Sequence, residues 1–264
     1  MRKAIFAGAG MFALAAALQP AAAADLPAAP APVYRAPPTV VIFNWSGFYF
    51  GVHGGGGWGS KDATAVAYPF AGATVAPDAA TVDISGWLAG GQFGGNYQVG
   101  MWVFGVEAQA SWADLTGNAT CTSTSTTGVI ATALSANCSA KVNALGTVSG
   151  RLGVAFDRTL IYAKGGAAWT NDKHEHTSTI ALLPTFTANH TRWGWMVGGG
   201  LEFGFTDNWS AVIEYNYLDL GTRHVSFTDT TGLVRLNADI SERIHVAKVG
   251  INYRIGGSTV AVRY

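Results

Sequence analysis

Charge is scarce in this chain of 264 residues: only 12% of positions are Asp, Glu, Lys or Arg, against about 25% in ordinary soluble domains. Neither sign prevails, with 16 Lys plus Arg and 16 Asp plus Glu. Without a basic excess there is no electrostatic footprint for a phosphate backbone, which excludes nucleic acid as a partner. Beyond the first two dozen residues, a hydrophobic run long enough for a membrane helix is also missing. The best contender, residues 84–106, holds seven glycines plus Gln92, Asn96 and Gln98, a poor composition for a hydrocarbon-spanning helix. Cysteine is nearly absent, at two residues. What the chain does have is glycine, 34 residues, close to twice the usual share of about 7%, and aromatics: Trp 9, Tyr 9 and Phe 13. So many rings exclude a disordered chain. A membrane protein or an unusual all-β protein remains, and the length suits one barrel domain of about 200–250 residues.

The first residues have the anatomy of a secretory signal. Arg2 and Lys3 precede an uncharged Ala/Phe/Leu-rich run over 4–18, Gln19-Pro20 breaks it, and small residues lead to Ala23. Cleavage after Ala23 is expected; a retained anchor would need about 20 apolar residues rather than this short run. The mature chain would then carry 14 basic and 16 acidic residues. A Pro/Ala-rich lead-in spans 24–44, with Pro27, Pro30, Pro32, Pro37 and Pro38, and its composition predicts an extended tether. The remainder, 45–264, is expected to be the barrel.

Period-two alternation recurs along that remainder. Trp87, Ala89, Gly91, Phe93, Gly95, Tyr97 and Val99 share one face against Leu88, Gln92, Asn96 and Gln98. Trp102, Phe104, Val106, Ala108, Ala110 and Trp112 oppose Glu107, Gln109 and Ser111. Over 141–156, Val142, Ala144, Val148, Leu152, Val154 and Phe156 oppose Asn143, Thr147, Ser149 and Arg151. Ile161, Ala163, Ala167 and Trp169 oppose Tyr162, Lys164 and Thr170; Trp193, Trp195, Val197, Leu201, Phe203 and Phe205 oppose Glu202 and Thr206. Trp209, Ala211, Ile213, Tyr215 and Tyr217 oppose Ser210, Glu214 and Asn216, and Ala247, Val249, Ile251, Tyr253 and Ile255 oppose Lys248, Asn252 and Arg254. Phe48, Phe50 and Val52 against Tyr49 and His53 complete eight strands. A soluble sandwich also alternates, but buries mostly aliphatics; aromatics gathered at segment ends fit the girdles of a membrane barrel.

The connections alternate strictly between long and short: 59–85, then 100–101, 113–140, 157–159, 171–190, 207–208 and 219–239. Short periplasmic turns and long extracellular loops are the habit of outer-membrane barrels. The expected fold is therefore all-β, an eight-stranded antiparallel up-and-down transmembrane barrel. Its inward face would carry Glu107, Glu202 and Glu214 with Arg151, Lys164, Lys248 and Arg254. An eight-stranded interior is only wide enough for side chains, so a near-balanced set predicts interlocked ions rather than a channel. A narrow, low-conductance pore with a charged constriction is the alternative.

Linked blocks also resemble a family. Trp45-Ser46-Gly47-Phe48-Tyr49-Phe50-Gly51, Arg151-Leu152-Gly153, residues 160–169, residues 194–203, Trp209-Ser210, residues 214–221 and residues 248–254 are similar to the small alphaproteobacterial porin-family surface antigens of the rhizobial and brucella type. The resemblance implies an OmpA-like barrel in the outer membrane of a Gram-negative cell. It implies structural, surface-antigen and in some members haemin-binding or adhesive roles, with no catalytic residues and no cofactor. Partners on that footing are outer-membrane lipid and lipopolysaccharide, the outer-membrane assembly machinery, and a host surface or haemin. Assembly machinery would read a terminal aromatic, here Tyr264. The last strand either ends at Ile255 or is extended over 258–264, where Val260, Val262 and Tyr264 alternate.

Cys121 and Cys138 lie together in the second long connection, and in an exported chain a disulfide between them is expected. His174, Glu175, His176, Asp172 and His190, with His224 further on, are the residues to test for metal or haemin, although histidines in exposed loops are more often merely solvated. An enzymatic barrel would need a nucleophile beside its base. Ser241 and His245, with Glu242 between them, share one strand face only at about 13 Å, so no catalytic set is expected. Gly54 to Gly57 lacks the Lys-Ser/Thr of a phosphate loop.

Overall fold

Side chains that alternate in polarity every second residue favour a pleated strand with one wet and one apolar face, and strand is what forms. The computed structural model of the chain describes residues 40–65, 68–70, 73–127, 130–178, 186–228, 235–255 and 259–262. In chain order the strands are β1 Val40–Phe43, β2 Gly47–Ala65, β3 Tyr68–Phe70, β4 Ala73–Pro77, β5 Ala80–Val99 and β6 Trp102–Thr127. They continue as β7 Ile130–Phe156, β8 Thr159–Ser178, β9 Phe186–Gly204, β10 Trp209–Thr228, β11 Arg235–Ile255 and β12 Thr259–Val262. No helix among the described residues is long and apolar enough to cross a membrane.

Eight of these strands, β2, β5, β6, β7, β8, β9, β10 and β11, pair antiparallel in that order, and β11 returns to β2. The ring therefore has no free edge at membrane height, which a hydrocarbon environment demands because it offers backbone groups no hydrogen bonds. The phase is decided by exposure. Trp112, Val106 and Ile213 are 76%, 68% and 63% exposed, whereas Glu107, Glu202 and Glu214 are 4%, 1% and 3% exposed. Outward aromatics recur ten residues apart on several strands: Phe48 and Trp58, Trp87 and Tyr97, Trp102 and Trp112, Trp193 and Phe203. Ten residues span about 33 Å of strand; at the usual barrel tilt this is about 25 Å across the bilayer, the height of an apolar band between two aromatic girdles. At one end the turns are tight, with Gly100 and Asp157 in the left-handed region at φ 61° and 50°.

Three expectations need correction. The long connections are largely strand: β6 and β7 stay paired up to Thr127↔Ile130, fifteen residues past Trp112, and β8 to β11 likewise run past the upper girdle. Ser/Thr/Ala alternation carries little hydrophobic contrast, so these hairpins resemble loops in composition. Val142, expected on the lipid face, is fully buried. A bulge at Asn143 shifts register between Val142 and Ala144 and turns the strand above it half a pleat over. Finally, of the two alternatives for the last barrel strand the shorter holds, with its end at Ile255, and the lead-in needs correction. Thr259–Val262 forms β12, which pairs with β1, so Val40–Phe43, counted above with the lead-in, is also strand.

Candidate functional site

The strand registers stack the inward side chains into tiers that follow one another from the short-turn end towards the hairpin end. The lowest tier is apolar. Phe43 and Trp45, 3% and 0% exposed, pack with Val103, Leu160 and Val212. Trp45 donates its indole N–H to the Asp157 carbonyl at 3.1 Å, and Arg254 lies 4.2 Å over the Phe43 ring and 4.4 Å over the Trp45 ring. Gly204 completes the fit, because a Cβ there would collide with the Phe43 ring. The segment before β2 thus closes this mouth of the barrel.

Above it lies the ionic tier. Glu107 on β6 accepts from Lys164 Nζ at 2.9 Å, from the Tyr49 hydroxyl at 2.6 Å and from Gln109 at 2.7 Å. Arg151 on β7 donates to Glu202 at 2.8 Å and reaches Glu107 at 3.5 Å. Glu202 also accepts from Ser210 at 2.5 Å and Asn252 at 3.0 Å. Glu214 on β10 binds Lys164 at 2.6 Å and Lys248 at 2.9 Å, and accepts from the Tyr162 hydroxyl at 2.8 Å. Lys248 donates to Gln109, and His53 bridges Gln92 and Ser111. An unpaired ion in such a place costs several kcal/mol, whereas shared carboxylates with extra hydrogen bonds offset the desolvation. Arg254 makes no ion pair among the described residues and rests instead on the two rings below it.

The next tier is apolar again: Leu88, Leu115, Leu145, Met196, Leu218 and Ile244 are all 5% exposed or less and form one cluster. Over it sits a second ionic group. Lys61 on β2 meets Glu242 on β11 at 2.9 Å, Arg192 on β9 lies 3.7 Å from the same carboxylate, and Arg192 donates to the Ile240 carbonyl at 3.2 Å. The interior is therefore a packed column of four layers.

All seven interior charges named from the sequence, Glu107, Arg151, Lys164, Glu202, Glu214, Lys248 and Arg254, point into this column. Sequence reasoning missed Lys61, which lay in a segment taken for a loop, and Arg192, which fell between the expected loop and the first outward ring of its strand, and it missed the plugging role of Phe43 and Trp45. The available signal for the Lys61–Glu242 pair was parity: Lys61 shares the inward phase of Tyr49 and His53 on β2, and Glu242 that of Lys248 and Asn252 on β11. Glu242 points inward while Ser241 and His245 share the outer face; His245 is hydrogen-bonded to the Tyr215 hydroxyl at 2.6 Å, so these three residues do not converge.

On the hairpins, Cys121 and Cys138 are disulfide-bonded with Cα atoms 5.9 Å apart, joining β6 to β7. His224 pairs with Asp239. Asp172, His174, Glu175, His176 and His190 contribute backbone to the β7–β8 and β8–β9 ladders, while their side chains, like the whole of Tyr264, lie outside the described residues. Among the described residues no three His, Cys, Asp or Glu side chains are grouped to hold a metal.

The chain is similar to known proteins. The chain is 29% identical over 219 residues to the 31 kDa outer-membrane immunogenic protein of Brucella melitensis, covering 81% of this chain and 85% of that one. It is 27% identical over 232 residues to the 25 kDa outer-membrane immunogenic protein of Brucella abortus, covering 87% and 86%. Among solved structures, the outer membrane protein OprG of Pseudomonas aeruginosa overlays with a TM-score of 0.46 at 14% identity, covering 81% of this chain and 99% of that one. Residues 9–254 match a single family, and with the closed eight-stranded ring, the outward aromatics and the ionic interior already in place, the chain belongs to the outer membrane protein beta-barrel domain family.

Proposed function

We propose that this outer-membrane barrel works physically rather than chemically: a sealed, non-catalytic cylinder that braces the envelope and holds its hairpins out at the cell surface. The observation that carries this reading is the order of the tiers. A continuous water path needs polar walls along the full height, yet here apolar layers lie on both sides of the salt-bridged core. An eight-stranded interior is only wide enough for side chains, and the buried carboxylates are taken up by cations and hydrogen bonds. Surface presentation is supported by the disulfide-tied β6–β7 hairpin and by the relatives, whose descriptions call them immunogenic. On this reading the hairpins are extracellular, the short turns periplasmic, and the partners are outer-membrane lipid, lipopolysaccharide and the assembly machinery.

The test is electrical. Purified, heat-modifiable protein reconstituted into planar bilayers in concentrated KCl is expected to give no unitary currents, and its proteoliposomes should not swell in small sugars. Discrete, reproducible conductance steps from the folded fraction would overturn the sealed-cylinder reading in favour of a narrow pore.

A further inference from the structure

The outer wall of the barrel is not uniform, and the face formed by β5, β2, β11, β10 and β9 carries a site that the sealed interior does not use. The register sets outward side chains in horizontal rows. The lowest row is Gly54, Val249, Ile213 and Leu201, each directly across from the next. One pleat higher come Gly56, Ala247, Tyr215 and Gly199. Above these stand Trp58, His245 and Tyr217, and above them Ser60, Arg243 and Asp219. Polarity along this path runs from aliphatic and small, through a belt of rings, to charged and hydroxylated.

Each level has a matching shape. Small side chains at Gly54, Gly199 and Ala247 leave a groove of about 540 Å³ on the lipid face, walled by Leu201, Ile213 and Val249. The ring belt is held rigid: Trp58 and His245 stack with centroids 5.8 Å apart, His245 is hydrogen-bonded to Tyr215 at 2.6 Å, and its ring lies 5.1 Å from that of Tyr217. Immediately above, a second hollow of about 520 Å³ is bordered by Trp58, Ser60, Asp83, Ser85, Arg243 and His245. Arg243 is exposed and makes no ion pair among the described residues. Asp219, directly across from it, instead accepts the Gly221 backbone N–H at 2.8 Å. At the same girdle on another side of the barrel, Lys141 is neutralised by Asp114 at 2.7 Å.

We propose that this face is a specific binding site for the phosphorylated, acylated disaccharide that anchors lipopolysaccharide in the outer leaflet. An acyl chain lies in the glycine-walled groove. The sugar ring rests on the Trp58–His245 plate, as amphipathic rings serve at a membrane interface. Ser60, Ser85 and Asp83 exchange hydrogen bonds with sugar hydroxyls, and Arg243 takes the phosphate by its planar fork, the geometry guanidinium suits best. The proposal rests on the outer-membrane placement with hairpins outward, and gives the bracing role a grip on its surroundings. A phospholipid would use the groove alone and leave the sugar-sized hollow above it empty.

Native mass spectrometry of the folded protein in nanodiscs titrated with purified lipopolysaccharide decides it. Wild-type protein is expected to retain one glycolipid, and Trp58→Ala/Arg243→Ala to weaken retention at least tenfold. Gly54→Leu should fill the groove and weaken it too, since a Cβ there meets only ordinary contact. Trp112→Ala, on the far side of the girdle, should bind as wild type, and heat-modifiable migration verifies that each variant is folded. Equal retention by wild type and the double variant, equal loss with Trp112→Ala, or equal retention of phosphatidylglycerol would each overturn the site. A conducting barrel would sink the sealed-cylinder reading but leave this external site standing, so the two failures are distinguishable.

Discussion

Glu107 shows what the interior asks of a single residue. Its carboxylate is buried at 4% exposure and is held by two cations, Lys164 and Arg151, besides the Tyr49 hydroxyl. Removing one partner from a buried ion pair leaves the other charged and unsolvated, which costs about 3–5 kcal/mol. Glu107→Gln should therefore lower the stability of the refolded barrel by about 3 kcal/mol, read as an earlier urea midpoint in the heat-modifiable gel shift. Adding Lys164→Met should recover part of that loss, because it removes one of the surplus buried cations while Lys248 still neutralises Glu214 at 2.9 Å; the two effects are expected to be non-additive. Strict additivity would mean that Glu107 and Lys164 are not coupled. Glu202 is the useful comparison, since among the described residues Arg151 alone supplies its ion pairing, at 2.8 Å.

At the scale of elements, the eight-stranded ring was legible because hydrocarbon enforces polarity contrast: where Trp, Phe and Val must face acyl chains and Glu or Gln must not, every second residue declares its side. On the outer hairpins, beyond the second ionic group, both faces of a strand meet water, the contrast fades, and Thr120, Thr122, Ser123 and Thr124 look the same on a strand as in a loop. Parity also fails wherever register slips, as at Asn143, where no composition marks the bulge that sends Val142 inward. The upper apolar tier escaped for a related reason: Leu218, Leu220, Ile244 and Val246 have the residue types of the lipid face but the opposite phase. Phe43 sits among prolines and valines that suggest a tether, and only its tertiary partner Arg254 reveals its place.

The same distinction between membrane and hairpin levels predicts how the disulfide behaves. Cys121 and Cys138 are seventeen residues apart, a loop whose closure is worth up to about 3 kcal/mol of chain entropy. The β6–β7 ladder already closes that loop, and the bond lies nine residues beyond Trp112, so its benefit is confined to the hairpin. Cys121→Ala/Cys138→Ala should leave heat-modifiable migration and the urea midpoint of the barrel unchanged. It should, however, speed proteinase K cleavage of the hairpin severalfold on intact cells. A shift in the barrel midpoint itself would show that the hairpin and the membrane ring unfold as one unit.

For the molecule as a whole, the tiers act in series, and a series barrier has a particular signature. Water and ions must cross the Phe43/Trp45 layer, the salt-bridged layer and the Leu115/Met196/Leu218 layer in turn, so the least permeable layer left intact governs the total. Opening one end alone should do little. Phe43→Ala/Trp45→Ala strips the lower plug, and it also frees Arg254 from two aromatic faces, yet bilayers carrying it are expected to stay silent because the upper layer remains dry. Leu115→Ser/Met196→Ser wets the upper layer and should likewise stay silent, with the lower plug in place. The fourfold variant should show small, salt-dependent current steps, since only then is every apolar layer breached, and the cationic surplus of Arg151, Lys164, Lys248 and Arg254 over three glutamates should favour anions. Planar-bilayer recording of the four proteins, each checked for folding by gel shift, separates the cases. If the lower-plug variant alone conducts as well as the fourfold one, the upper layer is no barrier, and the periplasmic plug by itself would be what closes the barrel.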